Sequence, residues 1–266
     1  MSNSNIHPTA VISKQAEIAA DVKIGPFCVL QGKVKIDAGS VLESHVVIGN
    51  EWGSVEIGKN NRFAAGAAVG GPPQDLSYKG EPTRLIIGDS NTVREFATLN
   101  CGTVKGGGLT QIGSNCLIMA YAHIGHDCTI GSHVVIANSN QLAGHVVFED
   151  HVKTGGMCGF NQHVRIGKHT FIAGDSAVNK DVCPFTIAQG KHAVMRAPNS
   201  IGMDRAGFSK LDIENVRRAV RILTKGGGTI DESIQQMKAE CEETPAVKYF
   251  IDFLEASVAG PRGIAI

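Results

Sequence analysis

The chain has no surplus of charge of either sign. Across its 266 residues, lysine plus arginine equals aspartate plus glutamate, 25 against 25. A global basic field of the kind that gathers nucleic acid is therefore absent. Aromatic residues are scarce at 5%, while glycine is plentiful at 32 residues, which disfavours a thick core and suits a narrow, tightly wound one. The cysteines, Cys28, Cys101, Cys116, Cys128, Cys158, Cys183 and Cys241, are scattered, odd in number and never spaced Cys-x-x-Cys. That usage fits a reducing compartment in which most of them act as small apolar side chains. No apolar run approaches the roughly 20 residues of a membrane span. The opening residues MSNSNIHPTA have neither a positive stretch nor an apolar one, so no signal peptide is expected. These absences lead us to expect a cytoplasmic protein with no integral membrane segment and no nucleic-acid partner.

What the chain does have is a repeat. Stepping by six from Ile6 meets Ile12, Ile18, Ile24, Leu30, Ile36, Leu42 and Ile48. The register slips by three and resumes at Ile57, Phe63 and Val69, then again at Ile87, Val93 and Leu99. A third run goes from Ile112 through Ile118, Ile124, Ile130, Ile136, Leu142, Phe148, Thr154, Phe160, Ile166 and Ile172 to Val178, with Thr154 alone breaking the apolar rule. A period of six is neither the 3.6 of a helix nor the 2 of a long strand. It fits a short strand followed by a tight corner. The position two before each repeat residue is often small or β-branched, as at Val22, Val46, Ala122, Cys128, Val134 and Val164, so each short strand points two residues inward. Glycine often follows the repeat residue, as at Gly25, Gly58, Gly113, Gly131 and Gly167, where it is expected to relieve the backbone at corners. Three such sides close one coil of 18 residues, and stacked coils bond through parallel ladders. The expected fold is a mainly β parallel β-helix of hexapeptide repeats.

Two stretches leave the pattern: Gly70 to Arg84, and Cys101 to Gln111. Each is expected as a loop thrown out from a coil, either a tolerated insertion or a carrier of function. The repeat fades after Val178. Ser209 with Asp212 and Thr229 with Glu232 read as helix N-caps, and Thr244-Pro245 as N-cap then N1. Helices are expected over 209–225, 229–243 and 245–258. The expected division is a β-helix over 1–190, with loops near 70–84 and 101–111, and an α-helical C-terminal domain over 191–266.

None of the ten histidines falls on a repeat position or two before one, so none belongs to the core of the coil. Residues 18 apart occupy the same side of adjacent coils, about 4.8 Å apart. One column is therefore His126, Gly144, Gln162, and its neighbour is Asp127, His145, His163. A third is His133, His151, His169. The first two adjoin. Together they offer a general base, a carboxylate and a glycine N–H open to close approach, the minimum kit for acyl transfer. The third column reads better as a solvated surface ladder. A rival reading of the first patch is a zinc site, His123-x-x-His126 with His145, as in β-helical carbonic anhydrases. Spacing alone does not make the imidazoles converge, and no metal is expected.

The run Ala122-His-Ile-Gly-His-Asp-Cys-Thr-Ile-Gly131, with Leu142-Ala-Gly-His145, closely resembles the acyl-[acyl-carrier-protein]–UDP-N-acetylglucosamine O-acyltransferase family, which opens lipid A biosynthesis. Supporting segments include Gln74-Asp-Leu76, Gly80-Glu-Pro-Thr-Arg84, Gly102-Thr103, Gly106-Gly-Gly-Leu-Thr110, Ile187-Ala-Gln-Gly190 and Arg205-x-Gly-Phe-Ser209. The likeness spans essentially the whole chain. It implies a left-handed helix, a homotrimer with sites between subunits, and no cofactor. It implies His126 as general base toward the glucosamine 3-hydroxyl, Asp127 as its support, and Gly144 as the oxyanion donor. The acyl donor would be an (R)-3-hydroxyacyl chain on acyl carrier protein. Asp75, His123, His145, Gln162, Asn199 and Arg205 match residues that hold UDP-N-acetylglucosamine. Gly174 and His192 match the region that measures acyl length, and a glycine there leaves room for a long chain.

Several positions depart from the family pattern. Asn161 and His163 flank Gln162 where His-Gln-Phe is common, and Asn100-Cys101 replaces a common His-Arg pair. Ser77 stands where a lysine is usual, and Ile201 and Ala206 replace polar residues of the nucleotide site. These departures leave open a 3-amino analogue of the sugar as acceptor. Another hexapeptide acyltransferase, such as the N-acyltransferase of the same pathway, is also open. Arg217, Arg218, Arg221 and Lys225 lie on the first long tail helix, with Arg218 and Arg221 three apart on one face. They would suit an acidic carrier protein or be simply a solvated face.

Overall fold

The computed structural model describes residues 5–266. Its first two-thirds is a left-handed parallel β-helix, a three-sided prism whose strands are mostly two residues long. Ile124, Leu142 and Phe160 pair rung to rung at steps of 18 on one face. Ile130, Phe148 and Ile166 do so on the next, and Leu117 pairs with Val135 on the third. Each strand turns one branched or aromatic side chain into the prism and the following corner reverses the chain. The repeat residues from Ile24 to Val178 are buried, Thr154 included. Truncating one of these isoleucines to alanine would cost about 2–5 kcal/mol, because a narrow prism has few atoms free to refill the gap.

Thr154 is tolerated inside because its hydroxyl is used. Oγ1 accepts the Ala137 N–H at 3.0 Å and faces the Val135 carbonyl at 3.4 Å. The three irregular stretches are quantified by the register. Ile36 pairs with Ile57, Ile57 with Ile87, and Ile87 with Ile112, so the steps exceed 18 by three, twelve and seven residues. The prism closes again after each one, and the extra residues are carried outside it.

The corner glycines work differently from the expectation. Gly25, Gly58, Gly113, Gly131 and Gly167 have ordinary backbone angles. Their role is space: a Cβ on Gly25 would lie 2.7 Å from the Glu43 carbonyl oxygen, and one on Gly113 2.7 Å from the Gly131 backbone. The left-handed residue of each corner comes two positions later and is seldom glycine. Asn60, Asn115, Asp127, His145, His151, His163 and His169 all sit there with φ between 56° and 64°. Asn, Asp and His tolerate that region best among side-chain-bearing residues, which explains why the histidines line up at corners.

Beyond the coils, Thr186–Gly190 and Ala193–Pro198 form an antiparallel hairpin on the third face. Four helices follow: α1 (Ser200–Arg205), α2 (Lys210–Lys225), α3 (Ile230–Glu240) and α4 (Pro245–Val258). Ser209, Thr229 and Thr244 cap α2, α3 and α4 through their side chains, and Thr229 with Glu232 closes a full capping box. α3 stops three residues short of the expected end. Cys241 is already extended, and the residue before Pro245 is sterically barred from helix. The helices enclose a second core around Phe185, Met203, Val216, Phe250 and Leu254. α4 docks on the prism through Glu149, which pairs with Arg165 and accepts the Tyr249 hydroxyl at 2.6 Å. Lys168 lies 3.4 Å from the centre of the same tyrosine ring. Among the described residues no helix is long and apolar enough to cross a membrane.

Candidate active site

The corner after Ile124 places His126 and Asp127 side by side, and the next coil places Gly144 over the imidazole. His126 lies outside the prism yet is only 8% exposed. Its Nδ1 is 2.7 Å from Asp127 Oδ2. A Cβ on Gly144 would stand 2.6 Å from His126 Nε2, so only glycine lets the two coils meet here. The Gly144 N–H finds no acceptor among the described residues. His145 meets His126 edge to face at 5.2 Å, and His163 stacks on His145 at 4.4 Å.

Asp127 is held from three sides. Its N–H donates to Thr110 Oγ1 at 2.8 Å. The Thr103 N–H donates to Oδ1, and the Thr103 hydroxyl to Oδ2, each at 2.7 Å. Thr103 begins the 3₁₀ turn Val104–Gly106 and caps it by accepting the Gly106 N–H. A Cβ on Gly106 would overlap the Asp127 carboxylate. The second loop is thus wrapped onto the aspartate. No periodicity marks Thr103 or Thr110 as a site residue; the signal in the sequence is their place in the segments Gly102-Thr103 and Gly106-Gly-Gly-Leu-Thr110.

His123 stands one strand earlier, with Nδ1 2.7 Å from Thr98 Oγ1. Burial holds it below the ordinary histidine range, and His126 nearby adds to this. Burial also lowers His145, against the pull of Asp127. Asp75 lies on the first loop, close enough to act electrostatically on both His126 and His145; the Ser77 N–H holds its carboxyl below the usual range. Gln162 continues the column on the next coil, and its carbonyl accepts the Arg262 Nε–H at 2.6 Å. Of the departures, Asn100 and Cys101 anchor the first loop. The Asn100 amide donates to the Pro72 carbonyl at 3.0 Å, and the Cys101 N–H to that of Gly71 at 2.9 Å. Burial pushes the Cys101 thiol up to about 12, so it stays protonated.

The remaining candidates lie on the other two edges of the prism. Asn199 caps α1 and donates to the His169 carbonyl at 2.8 Å. With Arg205 it lines a cleft of about 520 Å³ that also holds His151, Lys153, His169 and Phe208. The His133–His151–His169 column is therefore more than a solvated ladder. Its rings stack at 4.7 and 4.4 Å, and His169 continues onto Phe185. Gly174 sits at the third edge beside Asp175, which pairs with Lys191 next to His192. A single chain thus gathers His123, His126, Asp127, Gly144, His145, Gln162 and Asp75, but not Asn199, Arg205, Gly174 or His192.

The arrangement is a hydrogen-bonded acid–base dyad with a backbone donor beside it. Chain similarity then decides the family. Residues 181–265 match the model of UDP N-acetylglucosamine O-acyltransferase domain 2, and 15–50 and 109–144 match that of the bacterial transferase hexapeptide. The UDP-N-acetylglucosamine O-acyltransferase of Moraxella catarrhalis is 38% identical over 98% of this chain and 100% of its own, with a TM-score of 0.92. LpxA of Acinetobacter baumannii is 42% identical over 98% and 99%, also at 0.92. The Arabidopsis UDP-N-acetylglucosamine acyltransferase is 32% identical over 98% and 100%, at 0.85.

The chain belongs to the UDP-N-acetylglucosamine O-acyltransferase family. As a member it is an acyltransferase, and its corner dyad can be weighed against the one other chemistry the side chains permit. Among the described residues a single set, His126, Asp127 and His145, has ligand atoms within 4.8 Å of one another. Binding a metal there would take Asp127 from the Thr103 hydroxyl and from His126 Nδ1. Its two oxygens are already engaged by Thr103 and by the His126 ring, so the bonds present are those of a hydrogen-bonded His–Asp pair.

Proposed function

We propose that the protein transfers an (R)-3-hydroxyacyl chain from acyl carrier protein to the 3-hydroxyl of UDP-N-acetylglucosamine, the opening step of lipid A biosynthesis. The observation that carries this is Gly144 seated against the ring of a buried His126 whose Nδ1 is bonded to Asp127. With Nδ1 engaged, Nε2 takes the proton of the sugar hydroxyl as its oxygen attacks the thioester carbonyl. Negative charge grows on the carbonyl oxygen, where the unspent Gly144 N–H can receive it. The intermediate collapses, the carrier's thiolate leaves, and the imidazolium returns the proton to sulfur. Asp127 stabilises the imidazolium by charge throughout. His123, His145, Gln162 and Asp75 surround the sugar.

The active unit in this reading is a homotrimer, in which a neighbouring copy brings Asn199 and Arg205 to the nucleotide and Gly174 and His192 to the acyl tail. Two features support it. The first face turns out Val11, Val29, Val47, Ala68, Thr98, His123, Gln141, Gly159 and Ala177, with no Lys, Arg, Asp or Glu among them. The edge beside it exposes Phe27, Phe96, Tyr121 and Met157. Such a stripe suits burial against further copies. For the carrier protein, α2 offers Arg221 and Lys225 beside a cleft of about 620 Å³. Arg217 and Arg218 line the same cleft, where they also donate to the Ser200 hydroxyl and the Glu240 carbonyl.

The test is direct transfer. Purified protein is mixed with (R)-3-hydroxyacyl-carrier proteins of several lengths and either UDP-N-acetylglucosamine or its 3-amino analogue, and products are read by mass spectrometry. An ester product, reduced about 10²-fold or more in His126→Ala, is expected. In the same assay Gly174→Met shifts the preferred chain to a shorter one. An amide formed only from the amino sugar would reassign the acceptor, and full activity in His126→Ala would remove the proposed base.

A further inference from the structure

We propose that Thr103 is a positioning residue for catalysis, locking the Asp127 carboxylate so that one oxygen stays aimed at His126 Nδ1. The inference rests on the reading of His126 as the base and goes beyond it by assigning a role to the second inserted loop.

A carboxylate on a two-bond side chain can rotate, and Asp127 has two imidazoles to choose between. His126 Nδ1 is 2.7 Å from Oδ2, and His145 Nε2 is 3.7 Å from the same oxygen. Pairing with His145 instead would release His126 Nδ1, and the imidazole would be free to take the wrong tautomer or turn away from the acceptor. Thr103 removes that freedom. Its N–H fixes Oδ1 and its hydroxyl fixes Oδ2, both at 2.7 Å, so the carboxyl plane is defined by two donors from one residue. The hydroxyl is itself oriented. It accepts the Gly106 N–H, which leaves its own proton for Asp127. Thr103 and Asp127 are both buried, so water does not compete for these bonds. Gly102 and Gly106 complete the clamp, because a Cβ on either would press on the carboxylate. The seven extra residues of this loop are thus what delivers a hydroxyl to a corner that the regular coil leaves bare.

The test compares Thr103→Val, Thr103→Ser and Asp127→Asn with wild type, measuring kcat and KM for both substrates and the melting temperature. Valine keeps the shape and the backbone donor but loses the hydroxyl. The expected result is a fall in kcat of about tenfold or more with KM within about twofold, the pattern of a misaimed base rather than a lost contact. Serine restores kcat to within about threefold. In an Asp127→Asn background, Thr103→Val costs little more, because the two residues act through one carboxylate. Wild-type kcat in Thr103→Val, or a full additional loss in the double variant, would overturn the inference. His126→Ala serves as the reference: if it is inactive while Thr103→Val is normal, the base stands and the positioning role falls. If His126→Ala is fully active, the underlying reading falls first.

Discussion

Gly144→Ala isolates the contact on which the proposed chemistry depends. Its backbone angles lie outside the left-handed region, so an alanine is not strained by conformation. The added methyl, however, would stand 2.6 Å from His126 Nε2 and 2.9 Å from Nδ1. Ordinary contact begins near 3.4 Å, so the ring must retreat by about 1 Å or the coils must separate. The coils are held by ladder bonds on all three faces, whereas the imidazole is tethered by one bond to Asp127. The ring therefore moves. A displacement of about 1 Å at a reacting group can cost 10²-fold in rate. We expect kcat to fall about 10²-fold, with the melting temperature changed by only a few degrees. Steady-state transfer with saturating acyl carrier protein and sugar nucleotide measures the first, and a thermal melt the second. A variant within about threefold of wild-type kcat would refute the placement of base and oxyanion donor on adjacent rungs. A large loss of stability would show that the backbone had yielded in place of the ring.

Two further expectations concern the scaffold. Thr154→Val restores an apolar residue to the repeat but orphans the half-buried Ala137 N–H, so it should destabilise by about 1 kcal/mol in urea unfolding despite the better match to the pattern. Equal or greater stability would refute that assignment of the hydroxyl. Burial, aided by neighbouring His151 and Lys168, lowers His169 from 6.5 to about 4. Its folded-state pKa is depressed, so the unfolded chain takes up the proton first as the pH falls. The stability contribution is present above about 6.5 and is lost toward 4. The melting temperature should decline across that window, and less steeply in His169→Asn. Asparagine suits the left-handed position, as Asn115 does two coils below His151. Identical slopes in the two proteins would show that His169 contributes nothing to the decline.

The prism was legible because its geometry demands one inward side chain per side, and the inward position of Ile124 or Leu142 tolerates little else. Handedness was not, since Ile and Leu every six residues close a three-sided coil of either hand. The columns His126–Gly144 and Asp127–His145 followed from the same bookkeeping, because no insertion lies between them. Thr103 did not follow. The insertion that carries it breaks the count of 18, so its place over Asp127 depends on a loop path with no period. α1 also escaped, being six residues long with a glycine inside, too short to show an amphipathic repeat. The glycines after repeat residues were legible as corner markers but for the wrong reason. A missing Cβ serves equally for freedom of φ and for close approach, and only the positions of neighbouring coils distinguish the two.

The rung spacing ties the chemistry to the core. Ile124 pairs with Leu142 and Leu142 with Phe160, and the same step carries His126 to Gly144 and Gly144 to Gln162. A slip of one residue between Ile124 and Leu142 would turn the inward side chains out to solvent. It would also move Gly144 off the imidazole. Selection for a filled prism therefore holds the proposed base, His126, and the proposed oxyanion donor, Gly144, one rung apart. What the prism does not supply is a hydroxyl donor to Asp127, whose neighbour in the column, His145, stays 3.7 Å from the carboxylate. That contact had to come from outside the repeat, and the loop bearing Thr103 enters at the coil just before the dyad. In the proposed mechanism the regular part of the chain sets the distance between His126 and Gly144, and the irregular part sets the orientation of the Asp127 carboxylate.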